Sequence, residues 1–296
     1  MDDRDWLAER FEENRARLRT VAYRMLGSLA EAEDAVQEGW LRLSRSDTSA
    51  VENLSGWLTT VVGRVCLTML QARRSRREDP LDAHVPDPLV SLDERLDPEH
   101  EAVLADSVGL ALLVVLETLD PPERLAFVLH DMFDVPFPEI AAIVGRSEGA
   151  ARQLASRARR KVKGAAPVPD EDPVRQRVVV DAFLAAARAG DFDALVAVLD
   201  PDVVLRADSG ALPARPSRVI RGAASVAEQA VVFARPDRAV GPALVNGAAG
   251  LVARTASGRP VAVMGFTVAG GRIVEIDVLA DPARVSHVVL HETEDR

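Results

Sequence analysis

Between Pro138 and Lys163 the chain reads PEIAAIVGRSEGAARQLASRARRKVK. From Arg152 to Lys163 this stretch carries six basic residues and no acidic one, in a protein whose net charge is −10. Such a local reversal of sign suits a surface laid against phosphates. Arg152 and Gln153 can each form bidentate hydrogen bonds with base edges, Arg with guanine and Gln with adenine. Ser156 shares their face. Arg157, Arg159, Arg160 and Lys161 are suited to holding a nucleic-acid backbone. The same residues would also serve as the solvated face of an ordinary helical bundle.

Three further sets have chemistry to offer. Arg73, Arg74, Arg76 and Arg77 form a second basic cluster, downstream of Trp57, Thr60 and Arg64. Cations at a helix C-terminus are locally favourable, which gives the cluster a structural explanation too. Asp34, Gln37, Glu38 and Arg42 make one polar stripe, which by itself reads as an amphipathic surface helix. In the last third, Asp208, Arg254 and Asp277 would form an acid-and-base set if a cavity brought them together. His287 and His291 are four apart but have no carboxylate constellation, so no metal site is expected. Cys66 lies within VVGRVCLTML and reads as a buried small hydrophobe.

These residues must be positioned by elements. Ile140, Ala141, Ile143 and Val144 give a first helix its apolar face, and Gly145 ends it. Ser147 caps a second helix on which Ala151, Leu154, Ala155, Ala158 and Val162 recur at helical spacing. The pair is a helix-turn-helix, whose second helix enters a major groove. Upstream, Phe11 to Ser44 is helical with a break at Gly27-Ser28, and Trp57 to Arg77 is helical after a start at Asn53 or Ser55. Glu78 to His100 holds four prolines and reads as a linker that docks, because Leu81, Val85, Leu89, Val90 and Leu92 recur along it. Val103 to Leu119 and Pro121 to Met132 are helices. GAAPVPDEDP, Gly164 to Pro173, marks a boundary.

Beyond it, helices are expected over 174–189, from 192 to about 199 and over 221–233. Strand-like runs are expected over 202–207, 241–256, 259–268 and 272–279, with Gly270-Gly271 as a hairpin turn. Helices followed by a strand meander indicate an α+β domain with a curved antiparallel sheet. The expected division is 1–78, a linker at 79–101, 102–164, a second linker at 165–173, and 174–296.

A chain of 296 residues that is 48% apolar can build several cores. One cysteine excludes a disulfide framework within the chain, and the charged N-terminal segment has no signal-peptide core. No apolar run is long enough for a bilayer span, and no membrane partner is expected. These features fit a cytoplasmic protein. The overall negative charge argues against a coat on nucleic acid and favours local basic patches aided by a larger partner.

AYRMLGSLAEAEDAVQEGWLRL, with the helix from Trp57 to Arg77, resembles region 2 of bacterial sigma factors of the extracytoplasmic-function class. LDPPERLAFVLHDMFDVPFPEIAAIVGRSEGAARQLASRARRKV resembles their region 4. The resemblance covers residues 10 to 164. It implies that Asp34, Gln37, Glu38 and Arg42 meet the polymerase β′ clamp helices. It also implies that the helix carrying Trp57, Thr60, Arg64 and the Arg73–Arg77 cluster melts and reads a −10 element, and that Arg152 to Lys161 read a −35 element. The β flap of core RNA polymerase and promoter DNA are the other implied partners. The chain departs from the family pattern at Val65, Thr68 and Leu154, so promoter sequence does not carry over.

AFLAAARAGDFDALVAVLDPDVVLRAD resembles the SnoaL-like branch of the nuclear-transport-factor-2 cone fold. Sigma factors with this addition form a subgroup containing the mycobacterial sigma J type. Its linker motif is matched by HVPDPL (Val85, Pro86, Asp87 and Pro88), its Asp-Gly segment by Asp208 and Gly210, and its C-terminal motif by Asp281, Pro282 and Arg284. The resemblance implies a multidomain protein, two all-α sigma domains followed by an α+β cone, with the added domain regulating the sigma core in cis. The motifs are expected to pack the added domain on region 2 and the linker. A small ligand in the cone is a further expectation; no cofactor is. Two other readings remain open here, a polymerase-independent, ligand-sensing helix-turn-helix repressor and an enzyme using the cone.

Overall fold

A computed structural model describes residues 3–46, 53–75, 83–92, 109–210, 216–233 and 238–290. The elements in chain order are α1 (Asp3–Leu26), α2 (Leu29–Leu43), α3 (Leu54–Ser75), β1 (Val90–Ser91), α4 (Leu110–Glu117) and α5 (Pro121–Phe127). A π-helical turn (Val128–Met132) leads to α6 (Phe137–Val144) and α7 (Glu148–Ala165). There follow α8 (Pro173–Ala189), α9 (Phe192–Val198), β2 (Leu199–Asp208), β3 (Arg218–Arg221) and α10 (Ala223–Phe233). The chain closes with β4 (Arg238–Val245), β5 (Ala248–Thr255), β6 (Pro260–Ala269), β7 (Arg272–Leu279) and α11 (Pro282–Leu290). Two compact units result, one of residues 1–79 with 115–165, the other of residues 80–114 with 166–296.

The first unit is all helical. Leu18, Val21, Met25, Val36, Leu43, Leu58 and Val62 bury the apolar stripes of α1 to α3 against one another. Ser28 caps α2, and Asn53 Oδ1 accepts from Gly56 N to start α3. Gly145 sits at φ 64° and ends α6 in the left-handed conformation expected of it. Ser147 Oγ accepts from Ala150 N at the start of α7. The helices of the two sequence halves pack together here. Gly63 on α3 faces Leu125 and Leu129, and a Cβ placed on it would lie 3.3 Å from the Leu129 side chain. Arg124 is buried and donates from Nε and Nη2 to the Arg24 carbonyl.

The second unit is a seven-stranded sheet in the order β1-β4-β5-β6-β7-β2-β3. β2 and β7 are parallel, and the other pairs are antiparallel. Leu205, Leu251, Phe266 and Ile276 point to one face, where they join Val180, Phe183, Leu195 and Val226 of α8 to α10 in a single core. Arg206, Gly250, Gly265 and Asp277 alternate to the other face.

The sheet differs from the sequence reading in four places, the first being the parallel β2–β7 pair in a sheet expected to be antiparallel. The run 241–256 is two strands, because Asn246 at φ 50° and Gly247 at φ 76° make a tight turn inside it. β3 is an extra edge strand. The linker supplies β1, in which Val90 and Ser91 pair with Val245 and Leu244. Leu110, at the start of α4, also lies on the sheet, where Gly265 leaves room for it: a Cβ there would be 2.9 Å from Leu110 Cδ2.

Candidate nucleic-acid interface and linker clamp

α7 buries Ala151, Leu154, Ala155 and Ala158. Arg152, Gln153, Ser156, Arg157, Arg159, Arg160 and Lys161 are all exposed on it. They are not equivalent. Arg157 Nε and Lys161 Nζ each donate at 2.8 Å to the carboxylate of Glu123 on α5, whose side chain is 5% exposed. Burial would raise the Glu123 carboxyl, but the hydrogen bonds from Lys161 and Arg157 outweigh it and hold it below its ordinary value. Arg159 Nε donates to Asp131 at 2.5 Å. Arg152 pairs with Glu148 one turn back and lies 5.5 Å over the Phe137 ring. Gln153, Ser156 and Arg160 have no charged partner among the described residues. By sequence alone Arg157, Arg159 and Lys161 group with Arg160, because the acids that hold them, Glu123 and Asp131, lie about thirty positions upstream.

The second basic set is also divided. Arg73 donates from Nε to Glu31 at 3.2 Å and from Nη1 to the Leu26 carbonyl, tying α3 to the α1–α2 corner. Arg74 pairs with Asp120 at the start of α5. Arg76 and Arg77 lie outside the described residues. Trp57 and Thr60 are half-buried, and Arg64 is exposed and donates to the Ala142 carbonyl of α6 at 3.2 Å. On α2, Asp34, Gln37 and Arg42 are exposed and Glu38 is partly so, with Arg42 Nε donating to Glu38 at 2.8 Å. Leu41, which the sequence reading did not single out, lies on the same stripe and is 43% exposed. Next to the stripe a cleft of about 270 Å³ is lined by Phe11, Arg15, Val36, Gln37 and Trp40.

In the second unit the three motif segments converge. Arg284, projecting from the first turn of α11, donates from Nε to Asp87 Oδ1 at 2.7 Å and from Nη1 to Asp208 Oδ2 at 2.7 Å. Its Nη2 donates to the Val85 carbonyl at 2.5 Å. Asp208 Oδ2 also accepts from Val85 N at 3.1 Å and lies 3.0 Å from His84 Nδ1. Burial works to raise Asp208, yet the hydrogen bonds from His84, Gly210 N and Val85 N, with the charge of Arg284, hold it well below the usual carboxylate range. The two acids raise the pKa of Arg284 in return, against its burial.

Pro86 and Pro88 flank Asp87, and all three are buried. Prolines there fix an extended path and bring no amide donor that needs a partner. Asp281 caps α11, accepting from Ala283 N and Arg284 N, with exposed Pro282 in the first turn. Gly210, at φ 62°, sits so close to Asp281 that a Cβ would collide with the carboxylate. Farther along the linker, Leu89 N donates to Asn246 Oδ1 and Asn246 N to the Leu89 carbonyl.

The acid-and-base set proposed for a cavity does not form. Asp208 belongs to the clamp, and Arg254 Nη1 donates to the Gly258 carbonyl in an exposed hairpin. Asp277 is 2% exposed and sits on the face opposite α8 to α10, beside Arg206, which also pairs with Glu275. Burial pushes Asp277 up to about 6, with Arg206 opposing. The side chains facing α8 to α10 interlock as an apolar core in which Phe183 and Phe266 meet edge to face. Among the described residues no group of His, Cys, Asp and Glu is arranged to hold a metal, and no helix is long and apolar enough to cross a membrane. His291 lies outside the described residues. Cys66 is buried, and its thiol is pushed up to about 12.

Residues 10–76 match the Sigma-70 region 2 family and residues 109–162 match Sigma-70, region 4. The ECF RNA polymerase sigma factor SigJ of Mycobacterium tuberculosis is 44% identical over 218 residues, which cover 73% of this chain and 69% of SigJ. The Probable ECF RNA polymerase sigma factor SigI of the same organism is 36% identical over 300 residues, 96% of each chain. The crystal structure of Mycobacterium tuberculosis SigJ superposes with a TM-score of 0.72 at 36% identity, covering 94% of this chain and 97% of that one.

Proposed function

The chain belongs to the extracytoplasmic-function RNA polymerase sigma factors, and from that premise we propose that its C-terminal domain regulates promoter recognition in cis by gripping the linker between regions 2 and 4. The observation that carries this reading is the Arg284 fork, which joins Asp208 to Asp87 and Val85. Two buried carboxylates and a backbone carbonyl converge on one guanidinium, a geometry that Arg fits and Lys does not.

The α2 stripe of Asp34, Gln37, Glu38 and Arg42, with Leu41 among them, is the surface offered to the β′ clamp helices of cytoplasmic core polymerase. Region 4 is offered to the β flap and the −35 element. On α3, Thr60 and Arg64 serve the −10 element, and Arg64 must first leave the Ala142 carbonyl. Two weak DNA contacts held in register by polymerase give joint affinity that neither has alone. The cone is a packed core in this reading, with no ligand assigned to it.

The test is reconstitution with purified core polymerase and promoter fragments selected from a random pool. Specific run-off transcripts that require this protein support the reading. Sequence-selective binding without polymerase, and no transcript, would return the chain to the repressor reading.

A further inference from the structure

We infer that Glu123 and Asp131 hold the recognition helix α7 by its two flanks and keep Arg157, Lys161 and Arg159 off the phosphates, leaving Arg152, Gln153, Ser156 and Arg160 as the DNA face. This rests on region 4 binding the −35 element. Successive residues on a helix turn by about 100°. On that wheel Ala151, Leu154, Ala155 and Ala158 occupy the buried side. Ser156, Arg160 and Gln153 lie together on the side opposite, with Arg152 at their edge about 20° from Arg159. Arg157 and Lys161 fall on one flank, and Arg159 falls on the other.

Each flank meets an acid from a different element. Glu123, on α5, takes both Arg157 and Lys161, and Asp131, in the π-helical turn, takes Arg159. Glu123 is the stronger hold, since its side chain is almost entirely buried and stays ionised through these two partners. Two cations sharing one carboxylate have little freedom to follow a phosphate. Arg160 faces no acid among the described residues. The pair between Arg152 and Glu148 is exposed on both sides and gives way easily to a base or phosphate. Gly149, on the same face, has open space where a Cβ would be, so the first turn can approach a groove closely. Glu123 and Asp131 are therefore positioning residues, which set the pitch of α7 and choose which cations reach DNA.

The test is the salt dependence of holoenzyme binding to a promoter fragment with its −35 element intact or scrambled. Each phosphate contact contributes about 0.9 to the slope of log K against log salt. Arg160→Ala should flatten the slope by about that amount. Arg157→Ala and Lys161→Ala should leave it unchanged. Glu123→Gln, which releases both cations, should steepen it by about 0.9 to 1.8, and Glu123→Asp should restore the original slope. If Arg157→Ala flattens the slope as much as Arg160→Ala, or if Glu123→Gln lowers affinity at constant slope, the inference is wrong. The two alanine variants leave Glu123 in place, so they decide the matter even if Glu123→Gln fails to fold. A wild-type holoenzyme indifferent to scrambling would overturn the −35 reading itself.

Discussion

At the scale of single residues, the clamp depends on Arg284. Replacing it with Ala takes the guanidinium away from Asp87 and Asp208, both under 10% exposed. Breaking a buried pair in this way costs about 3–5 kcal/mol. Urea unfolding followed by a probe in the sheet should show that loss, with faster proteolysis of the linker. The pH behaviour separates two acids. Asp208 has a folded pKa below its unfolded value, so its stabilisation is present above the unfolded pKa and lost only as pH falls towards the folded one. Asp277 has the opposite sign. It keeps its proton in the folded state up to about 6, so stability falls as pH rises from about 4 to about 6 and is level above that. Asp277→Asn should abolish this fall. Denaturation midpoints measured between pH 4 and 7 that run parallel for the two proteins would contradict the assignment. The sequence displayed the motif residues of the clamp but not their division of labour. Asp281 turned out to cap a helix, while Arg284 bridges segments almost two hundred positions apart.

At the scale of elements, two glycine-dependent arrangements can be tested. Gly63 lets α3 lie against α5 and the π-helical turn. Gly63→Leu should push these helices apart and expand the helical unit, read as a larger radius of gyration in small-angle scattering. An unchanged radius would mean that the contact tolerates a side chain. Asn246 both makes the β4–β5 turn and holds Leu89 through two hydrogen bonds. Asn246→Ala puts a Cβ residue without a local hydrogen bond at positive φ, costing about 1–2 kcal/mol. The Leu89 amide should then exchange at least tenfold faster, whereas equal exchange would show that β1 is held by other contacts.

Helices, caps and the helix-turn-helix were legible because period and punctuation agree there: Gly145 and Ser147 stand where the helices stop and start. β1 was hidden because two residues of a Pro-rich linker pair only with a strand more than 150 positions away. The β4–β5 turn was hidden inside an unbroken small-residue run, although Asn246-Gly247 is the dipeptide such turns prefer.

At the scale of the whole molecule, the chain is divided differently in space than in sequence. The linker belongs with the C-terminal sheet, and regions 2 and 4 form one helical unit. Fixing residues 83–92 on the sheet removes them from the tether that joins α3 to α4. A tether left too short for the span between the two DNA-binding elements lowers the effective concentration of one at its site when the other is bound. Releasing the linker while keeping the domain should therefore raise promoter output. The most direct measurement is run-off transcription by core polymerase with the wild-type protein and with Arg284→Gln, at equal concentrations and on the same selected promoter. The account predicts that both give the same transcript and that the variant gives at least threefold more of it. Equal yields from the two proteins, with proteolysis showing the linker released in the variant, would contradict regulation through the clamp.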